Sequence, residues 1–148
     1  MPIAVRDARP EDAAACIDLR GRTRENTFSA AQLAELGITE DSWAAGIAQG
    51  DSIGRVAWEG EHMAGYCFAD RDSGEVLVLA LLPDYEGRGI GRQLLQEVVS
   101  LTRDAGHQRL FLACSVDPRS RSHGFYRRLG WRPTGEVDEA GDEILELV

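Results

Sequence analysis

The sequence predicts an α/β fold built around one mixed sheet. Two strongly apolar segments, 75–82 (EVLVLALL) and 109–114 (RLFLAC), have the composition of strands that are covered on both faces. Segment 90–105, between them, has apolar residues at helical spacing. With 148 residues and 43% apolar composition, the chain is long enough for a single domain, residues 1–148, around one core.

The N-terminal part is predicted to be one strand followed by short helices. Residues 3–9 alternate well enough for a first strand, and Pro10, with two acidic residues behind it, favours a helix start. Ser29 and Gln32 have the spacing of a capping box, which predicts a second helix. Thr39 can cap a third helix. A glycine that favours helix termination follows each of them.

The middle of the chain is predicted to form a β-hairpin, a buried strand and a long helix. Segments 52–59 and 62–70 flank the tight turn Gly60-Glu61 and are typical of paired strands. The apolar strand 75–82 follows. The apolar positions of segment 90–105 then recur every three or four residues, which predicts an amphipathic helix.

The C-terminal part is predicted to contain a buried strand, a helix and two closing strands. Asp117 before Pro118 has the pattern of a helix N-cap, and the predicted helix ends at Gly130. Segments 131–137 and 143–148 then form a closing pair, which offers an edge for pairing with a second subunit in a homodimer.

The charges are divided unevenly along the chain. The net charge is −9, yet residues 85–132 contain nine arginines and four acidic residues, a local charge of +5, while the remainder carries −14. The overall charge argues against a nucleic-acid-binding protein. The basic segment suggests an anion site, and the acidic remainder suggests tolerance of a cation; ordinary solvated helix faces are the alternative for most arginines.

The cysteines and the hydropathy pattern predict a cytoplasmic protein. Cys16, Cys67 and Cys114 are odd in number, lie far apart among apolar residues and show no metal-ligand spacing, which predicts buried reduced thiols and no metal site. No segment reaches the length of a membrane helix, and the first residues lack the apolar block of a signal peptide. We therefore expect no membrane association.

The segment EGRGIGR, residues 86–92, is the strongest functional signal in the sequence. Its glycines permit positive φ and close approach of a ligand, and the predicted helix that starts there offers unpaired N–H groups. Arg88 and Arg92 add positive charge, so a phosphate-type anion is the expected ligand. A tight strand–helix connection without any ligand is the alternative. The spacing fits neither the dinucleotide fingerprint nor the P-loop.

The sequence resembles the GNAT superfamily of N-acetyltransferases in two motifs. LALLPDYEGRGIGRQLL, residues 79–95, is similar to the acyl-CoA-binding motif of the family, usually written [QR]xxGx[GA]. FYRRLGW, residues 125–131, is similar to its second signature. Segment 24–39 resembles a bacterial branch of this family. The predicted order of elements agrees with the family along the whole chain.

The resemblance implies a fold and a donor site. The fold is a single domain with a mixed, mostly antiparallel sheet, helices on both faces and a central pair of strands, 75–82 and 109–114, that splay apart. The pantetheine arm would pair with the backbone of Leu81 and Leu82, and an N–H near Leu82 would polarise the acetyl carbonyl. The pyrophosphate of coenzyme A would be held by backbone N–H groups, with the arginines as candidate contacts; these residues are Gly87, Arg88, Gly89, Ile90, Gly91 and Arg92.

The resemblance also suggests an acid and a base. Tyr126 lies at the family's general-acid position, where a phenol protonates the departing thiolate; packing beside Phe125 is the alternative. Glu75 lies where many relatives have a glutamate that removes the amine proton. Tyr66, Asp72 and His62 remain alternatives for the base.

Two positions depart from the family pattern. Glu86 replaces the glutamine or arginine of the first motif and would repel a pyrophosphate if its side chain faced it. Arg119 replaces an asparagine that often contacts pantetheine.

The sequence therefore predicts an N-acetyltransferase that uses acetyl-CoA as co-substrate. A primary amine attacks directly in a ternary complex, since no cysteine is placed for a covalent intermediate. The acceptor is expected between residues 24–43 and the sheet, and the acidic composition favours a cationic amine. A non-catalytic acyl-CoA-binding or sensing module is the main alternative, and a nucleotide-binding regulator is a third.

Overall fold

The computed structural model describes residues 2–24 and 27–148. Its strands and helices follow the predicted order: β1 (Ile3–Asp7), α1 (Ala13–Arg20), α2 (Ala30–Glu35), α3 (Glu40–Ala48), β2 (Ser52–Glu59), β3 (His62–Asp70), β4 (Val76–Leu81), α4 (Ile90–Asp104), β5 (Leu110–Cys114), α5 (Arg121–Arg128), β6 (Arg132–Val137) and β7 (Glu143–Leu147). Short 3₁₀ turns precede α1 and α4.

The strands form two antiparallel sheets that meet at β4 and β5. The first sheet has the order β1-β2-β3-β4 and the second the order β5-β7-β6. Glu75 and Phe111 form a parallel bridge between the sheets, with the Phe111 N–H donating to the Gly74 carbonyl at 3.4 Å. Beyond this bridge β4 and β5 diverge, and we call the gap between them the wedge. The predicted α/β fold with a mostly antiparallel arrangement and a splayed central pair is confirmed, with the predicted mixed sheet present as two antiparallel sheets that the one parallel bridge joins.

The N-terminal helices begin where the capping signals predict. The Ser29 hydroxyl accepts from the Gln32 N–H at 3.1 Å, and the Gln32 side chain accepts from the Ser29 N–H at 2.8 Å. Thr39 and Ser42 form the same reciprocal pair. These bonds satisfy N–H groups that a helix cannot pair internally, so each start is defined locally.

The first helix is preceded by a buried acidic residue. Asp12 is only 4% exposed, and its carboxylate accepts from two nitrogens of Arg6, at 2.8 and 2.9 Å, and from the Arg9 N–H at 2.7 Å. Burial alone would raise the pKa of Asp12, but these bonds outweigh burial and hold it below its usual range. The ion pair thus ties β1 to the start of α1.

The predicted start of the last helix is wrong by three residues. Helix α5 begins after Ser120, whose hydroxyl accepts from the His123 N–H at 3.3 Å. The Asp117 carboxylate instead accepts from the N–H of Arg119, two residues later, at 2.9 Å. Both segments carry capping signals, and the aspartate is used in a local turn rather than in a helix cap.

The helices cover both faces of the first sheet. Ile90, Leu94 and Val98 of α4 are buried in the cluster that also contains core residues of both sheets. Helices α1 and α3 pack on the other face, where Trp43 meets the Tyr66 ring edge-on at 5.5 Å. No helix of the described residues is long and apolar enough to cross a membrane.

Two sequence predictions concern burial. The three cysteines are buried and unpaired, as predicted, and burial raises the pKa of the Cys16 and Cys67 thiols. The prediction that β4 is covered on both faces is wrong at Leu77, which is 52% exposed. Leu77 lies on the wedge, where the neighbouring strand has diverged.

The paired edge strand β6 is largely exposed, and pairing with a second subunit stays a prediction.

Candidate active site

The wedge opens into a cavity of about 740 Å³. Its walls are residues 76–81 of β4, residues 112–115 at the end of β5, and α5, with further residues from the segment after α1 and from the turn before α4. The cavity exists because β4 and β5 separate after the bridge at Glu75. Two parallel strands that no longer pair leave backbone N–H and C=O groups free for a ligand.

The backbone of β4 offers its free groups at specific residues. The Leu82 N–H donates to the Ala64 carbonyl at 2.9 Å, within the pairing of β3 and β4. Successive N–H groups of a strand point to opposite sides, so those of Leu81 and Leu79 point toward the wedge. The Leu82 N–H is therefore not available to a ligand, and the N–H near Leu82 that faces the wedge is that of Leu81; the polarising role stays a prediction.

The glycine turn has the backbone conformation that its sequence predicts. Gly87 and Gly89 have φ of +76° and +79°, and Gly89 is the N-cap of α4. The Ile90 side chain is buried in the core, which anchors the turn. Gly91 lines the cavity, and a Cβ built on it would lie 3.9 Å from Phe125 and 4.0 Å from Leu81. Gly91 thus brings the first turn of α4 to the cavity, and the unpaired N–H groups of a helix start suit an anion. Gly87, Gly89 and Ile90 do not line the cavity, and their contact with a pyrophosphate stays a prediction.

The two arginines of the glycine turn lie outside the cavity lining. Arg88 is exposed, with its guanidinium 5.3 Å from the centre of the Tyr85 ring, and Arg92 is exposed on α4. Contact of either residue with a phosphate stays a prediction. Instead, the described lining contains a different set of arginines, which the sequence analysis missed: Arg20, Arg24, Arg121 and Arg128.

The two departures from the family motif have different environments. Glu86 faces the cavity, with its side chain 13% exposed, and one carboxylate oxygen lies 3.2 Å from Arg24 and 3.4 Å from Arg121. These cations offset the negative charge that would repel a pyrophosphate. Arg119 is 90% exposed and pairs with Asp117 at 3.1 Å, so it does not replace the family's contact inside the cavity.

Tyr126 is buried in the cavity wall. Its ring meets Phe125 edge-on at 5.2 Å and Trp131 at 5.9 Å, and the residue is 9% exposed. The Trp131 N–H donates to the Tyr126 carbonyl at 3.1 Å, and Gly130, at φ +96°, completes the helix end. In the motif FYRRLGW, the glycine and the aromatic residue that follows it thus form the helix end, and this helix end fixes the backbone of Tyr126.

The Tyr126 phenol stays protonated at neutral pH. Burial raises its pKa, and the neighbouring thiols of Cys67 and Cys114 act in the same direction. A protonated hydroxyl in the wall of the cavity can donate a proton to a leaving group there. Tyr126 can therefore pack against its aromatic neighbours and also act as a general acid.

Glu75 is not among the residues that line the cavity. It forms the bridge at the closed end of the wedge, and burial, together with Asp70 and Asp138, raises its pKa. The alternatives for the base do not line the cavity either. Tyr66 is fully buried and donates to the Cys16 carbonyl at 3.2 Å, while Asp72 and His62 lie in exposed turns or strand ends.

The predicted acceptor region contributes only partly to the cavity. Arg24 and Phe28 line it, and the Arg20 guanidinium lies 5.0 Å from the centre of the Phe28 ring. Trp43 instead is partly buried against the core on the other face of the first sheet. Residues 25 and 26 of the predicted region lie outside the described residues.

A glycine-rich helix start and a buried phenol thus lie at an opened pair of parallel strands, which is the arrangement that the sequence resemblance implies. The model of the acetyltransferase (GNAT) family matches residues 14–131. The chain belongs to the GNAT acetyltransferase family. The family prediction is therefore confirmed, and membership supports acyl transfer with acetyl-CoA as donor.

Individual relatives are more distant. A Bacillus subtilis protein named for alanine N-acetylation of ribosomal protein bS18 is 30% identical over 76 residues, which is 50% of this chain and 50% of that protein. An amino-acid acetyltransferase of Azotobacter vinelandii is 34% identical over 70 residues, 47% of this chain and 15% of that protein. The chain thus spans half or less of the length of these curated relatives. The PaiA N-acetyltransferase of Thermoplasma acidophilum, solved in complex with coenzyme A, shares the fold, with a TM-score of 0.81 and 21% identity over 99% of this chain and 98% of that one.

Proposed function

We propose that the chain transfers the acetyl group of acetyl-CoA to a primary amine by direct attack in a ternary complex. Coenzyme A would lie in the wedge, with its pyrophosphate at residues 87–91 and its pantetheine arm along β4. The N–H of Leu81 or Leu79 would polarise the thioester carbonyl, and Tyr126 would protonate the departing thiolate.

The observation that carries the proposal is the position of Tyr126. Its buried phenol lies in the wall of the same cavity that Gly91 and Leu81 line, so a donor held by the glycine turn and β4 would pass beside it. A module that only bound acyl-CoA would have no need of a protonated phenol there. This favours an enzyme over the sensing module.

The acceptor class follows less directly. The expectation of a cationic amine rests on the net charge of −9, but arginines outnumber carboxylates by four to two along the described lining. The relatives are named for an alanine of ribosomal protein bS18 and for amino acids. We therefore propose an α-amine, either on a peptide or on an amino acid, ahead of a polyamine.

The proposal is tested first by calorimetric titration with acetyl-CoA, coenzyme A, ATP and NADH. We expect Kd values in the micromolar range or below for the two coenzyme A ligands only. Release of free thiol is then measured with an alanine-terminated peptide, free amino acids and spermidine, and the acetylated amine is identified by mass spectrometry. Absence of coenzyme A binding would refute the proposal; binding without acetylation of any amine would favour the sensing module.

A further inference from the structure

We propose that Asp142, in the turn between β6 and β7, accepts the proton from the attacking amine. The proposal rests on the amine acetylation proposed above and assigns its missing base. It differs from the sequence prediction, which gave this role to Glu75.

Asp142 is one of two carboxylates in the described cavity lining. The other, Glu86, is held by two arginines at the glycine turn, where the pyrophosphate of the donor is expected. The Asp142 carboxylate, by contrast, forms no ion pair or hydrogen bond within residues 2–24 and 27–148. A carboxylate that faces a cavity without a partner is available to bind an N–H group.

The backbone holds Asp142 at the open side of the wedge. Its N–H donates to the Asp138 carboxylate at 2.9 Å, and its carbonyl accepts from the Asp138 N–H at 2.8 Å. The next residue, Glu143, pairs with Cys114 at the end of β5, and Cys114 lines the same cavity as Tyr126. The acid and the base thus reach the cavity from different elements, α5 and the β6–β7 turn.

The electrostatic surroundings suit a base. Burial raises the pKa of Asp142, and the charge of Asp138 raises it further. Charged or titratable groups of the described residues near this turn also include the Cys114 thiol, the ion pair of Arg127 with Glu143, and Glu75, whose pKa Asp138 also raises. A carboxylate with a raised pKa holds a transferred proton better than an ordinary one.

The proton transfers balance in one turnover. The amine nitrogen forms a C–N bond to the thioester carbonyl carbon, the C–S bond breaks, and one N–H proton passes to the Asp142 carboxylate. The Tyr126 hydroxyl supplies the proton that converts the thiolate into the thiol. Both residues regain their starting states by exchange with water.

The test compares Asp142→Asn with Glu75→Gln and Asp138→Asn. With the fastest amine of the panel above, we expect Asp142→Asn to lower kcat at least about 100-fold and to remove the acid limb of the pH profile of kcat/KM. Asp142→Glu should restore part of the rate and the limb. Because the Asp142 side chain has no partner in the described chain, the affinity for coenzyme A should not change.

Asp138→Asn is the matched control. An asparagine keeps the side-chain oxygen that accepts from the N–H groups of Ala140 and Asp142, so the turn should persist. Removing the charge of Asp138 lowers the pKa of Asp142, so the acid limb should move to lower pH with most of the rate retained. A wild-type rate and limb in Asp142→Asn, with both lost in Glu75→Gln, would overturn the proposal and assign the base to Glu75. A wild-type protein that acetylates no amine would instead count against the proposed function.

Discussion

Replacement of Tyr126 by phenylalanine separates the chemistry of this residue from its packing. The variant keeps the ring contacts with Phe125 and Trp131 and loses only the hydroxyl. Loss of a general acid lowers kcat by roughly 10²- to 10⁴-fold. The hydroxyl forms no hydrogen bond within the described residues, so its removal should change the free energy of unfolding by less than about 0.5 kcal/mol. For a chain of this length, that corresponds to a Tm shift of at most about 2 °C.

Tyr66 provides the matched control, since it is a second buried tyrosine with the opposite properties. Its hydroxyl donates to the Cys16 carbonyl at 3.2 Å, and the residue does not line the cavity. Tyr66→Phe should lower stability by about 1 kcal/mol, or about 2–4 °C in Tm, and retain most of the rate. The assays are thiol release from acetyl-CoA with the fastest amine and thermal unfolding followed by circular dichroism. A Tyr126→Phe variant with a wild-type rate, or equal rate losses in both variants, would refute the reasoning.

Three further variants address the donor site and stability. Glu86→Gln removes a negative charge at the cavity beside Arg24 and Arg121, so calorimetry should show several-fold tighter coenzyme A binding with a steeper salt dependence. Weaker binding would mean that Glu86 positions those arginines for the ligand. Gly91→Leu extends a side chain from a Cβ position that already lies 3.9 Å from Phe125, so it should weaken coenzyme A binding at least about tenfold. The Tm should be unchanged or raised, because glycine disfavours helices. The control variant Gly91→Ala should bind coenzyme A normally. Asp12→Asn should lower the free energy of unfolding by about 1–3 kcal/mol at neutral pH. The folded-state pKa of Asp12 is lowered, so the stability that its ion pair contributes is present above the ordinary pKa of 3.8 and is lost as pH falls through the folded-state pKa. Denaturation curves of the wild-type protein and Asp12→Asn should therefore converge in acid. A difference in stability that stays constant with pH would contradict this.

The local elements were predictable because their signals involve neighbours in the sequence. The cap of α2 depends on Ser29 and Gln32, and the hairpin of β2 and β3 depends on a turn at Gly60. The start of α5 was not predictable in this way, because Asp117 and Ser120 lie three residues apart and either of them can cap a helix. Which of the two is used depends on small differences in turn energy that a pattern does not contain.

The side chains of the candidate site were harder to predict because their positions depend on distant segments. Arg24 and Glu86 are 62 positions apart in the sequence, and nothing local pairs them. Asp142 lies in a turn whose composition is ordinary, and only the packing of the second sheet brings it to the cavity. In α1, Arg20 continues the helical spacing of the apolar residues Ala13, Cys16 and Ile17, and this was a usable signal, because a charge on an otherwise apolar helix face often faces a cavity.

The separation of β4 and β5 has a consequence for how this protein can diverge from its relatives. A ligand that is recognised by main-chain groups imposes few requirements on the side chains beside it. Mutations can therefore accumulate along both strands while the opening itself persists, provided that glycines remain where the chain turns into α4. Structures only 13–25% identical to this chain still superpose with TM-scores of 0.70 or more. Under the proposed function, acceptor preference would be free to change on the loops during that drift while the site of the donor is kept.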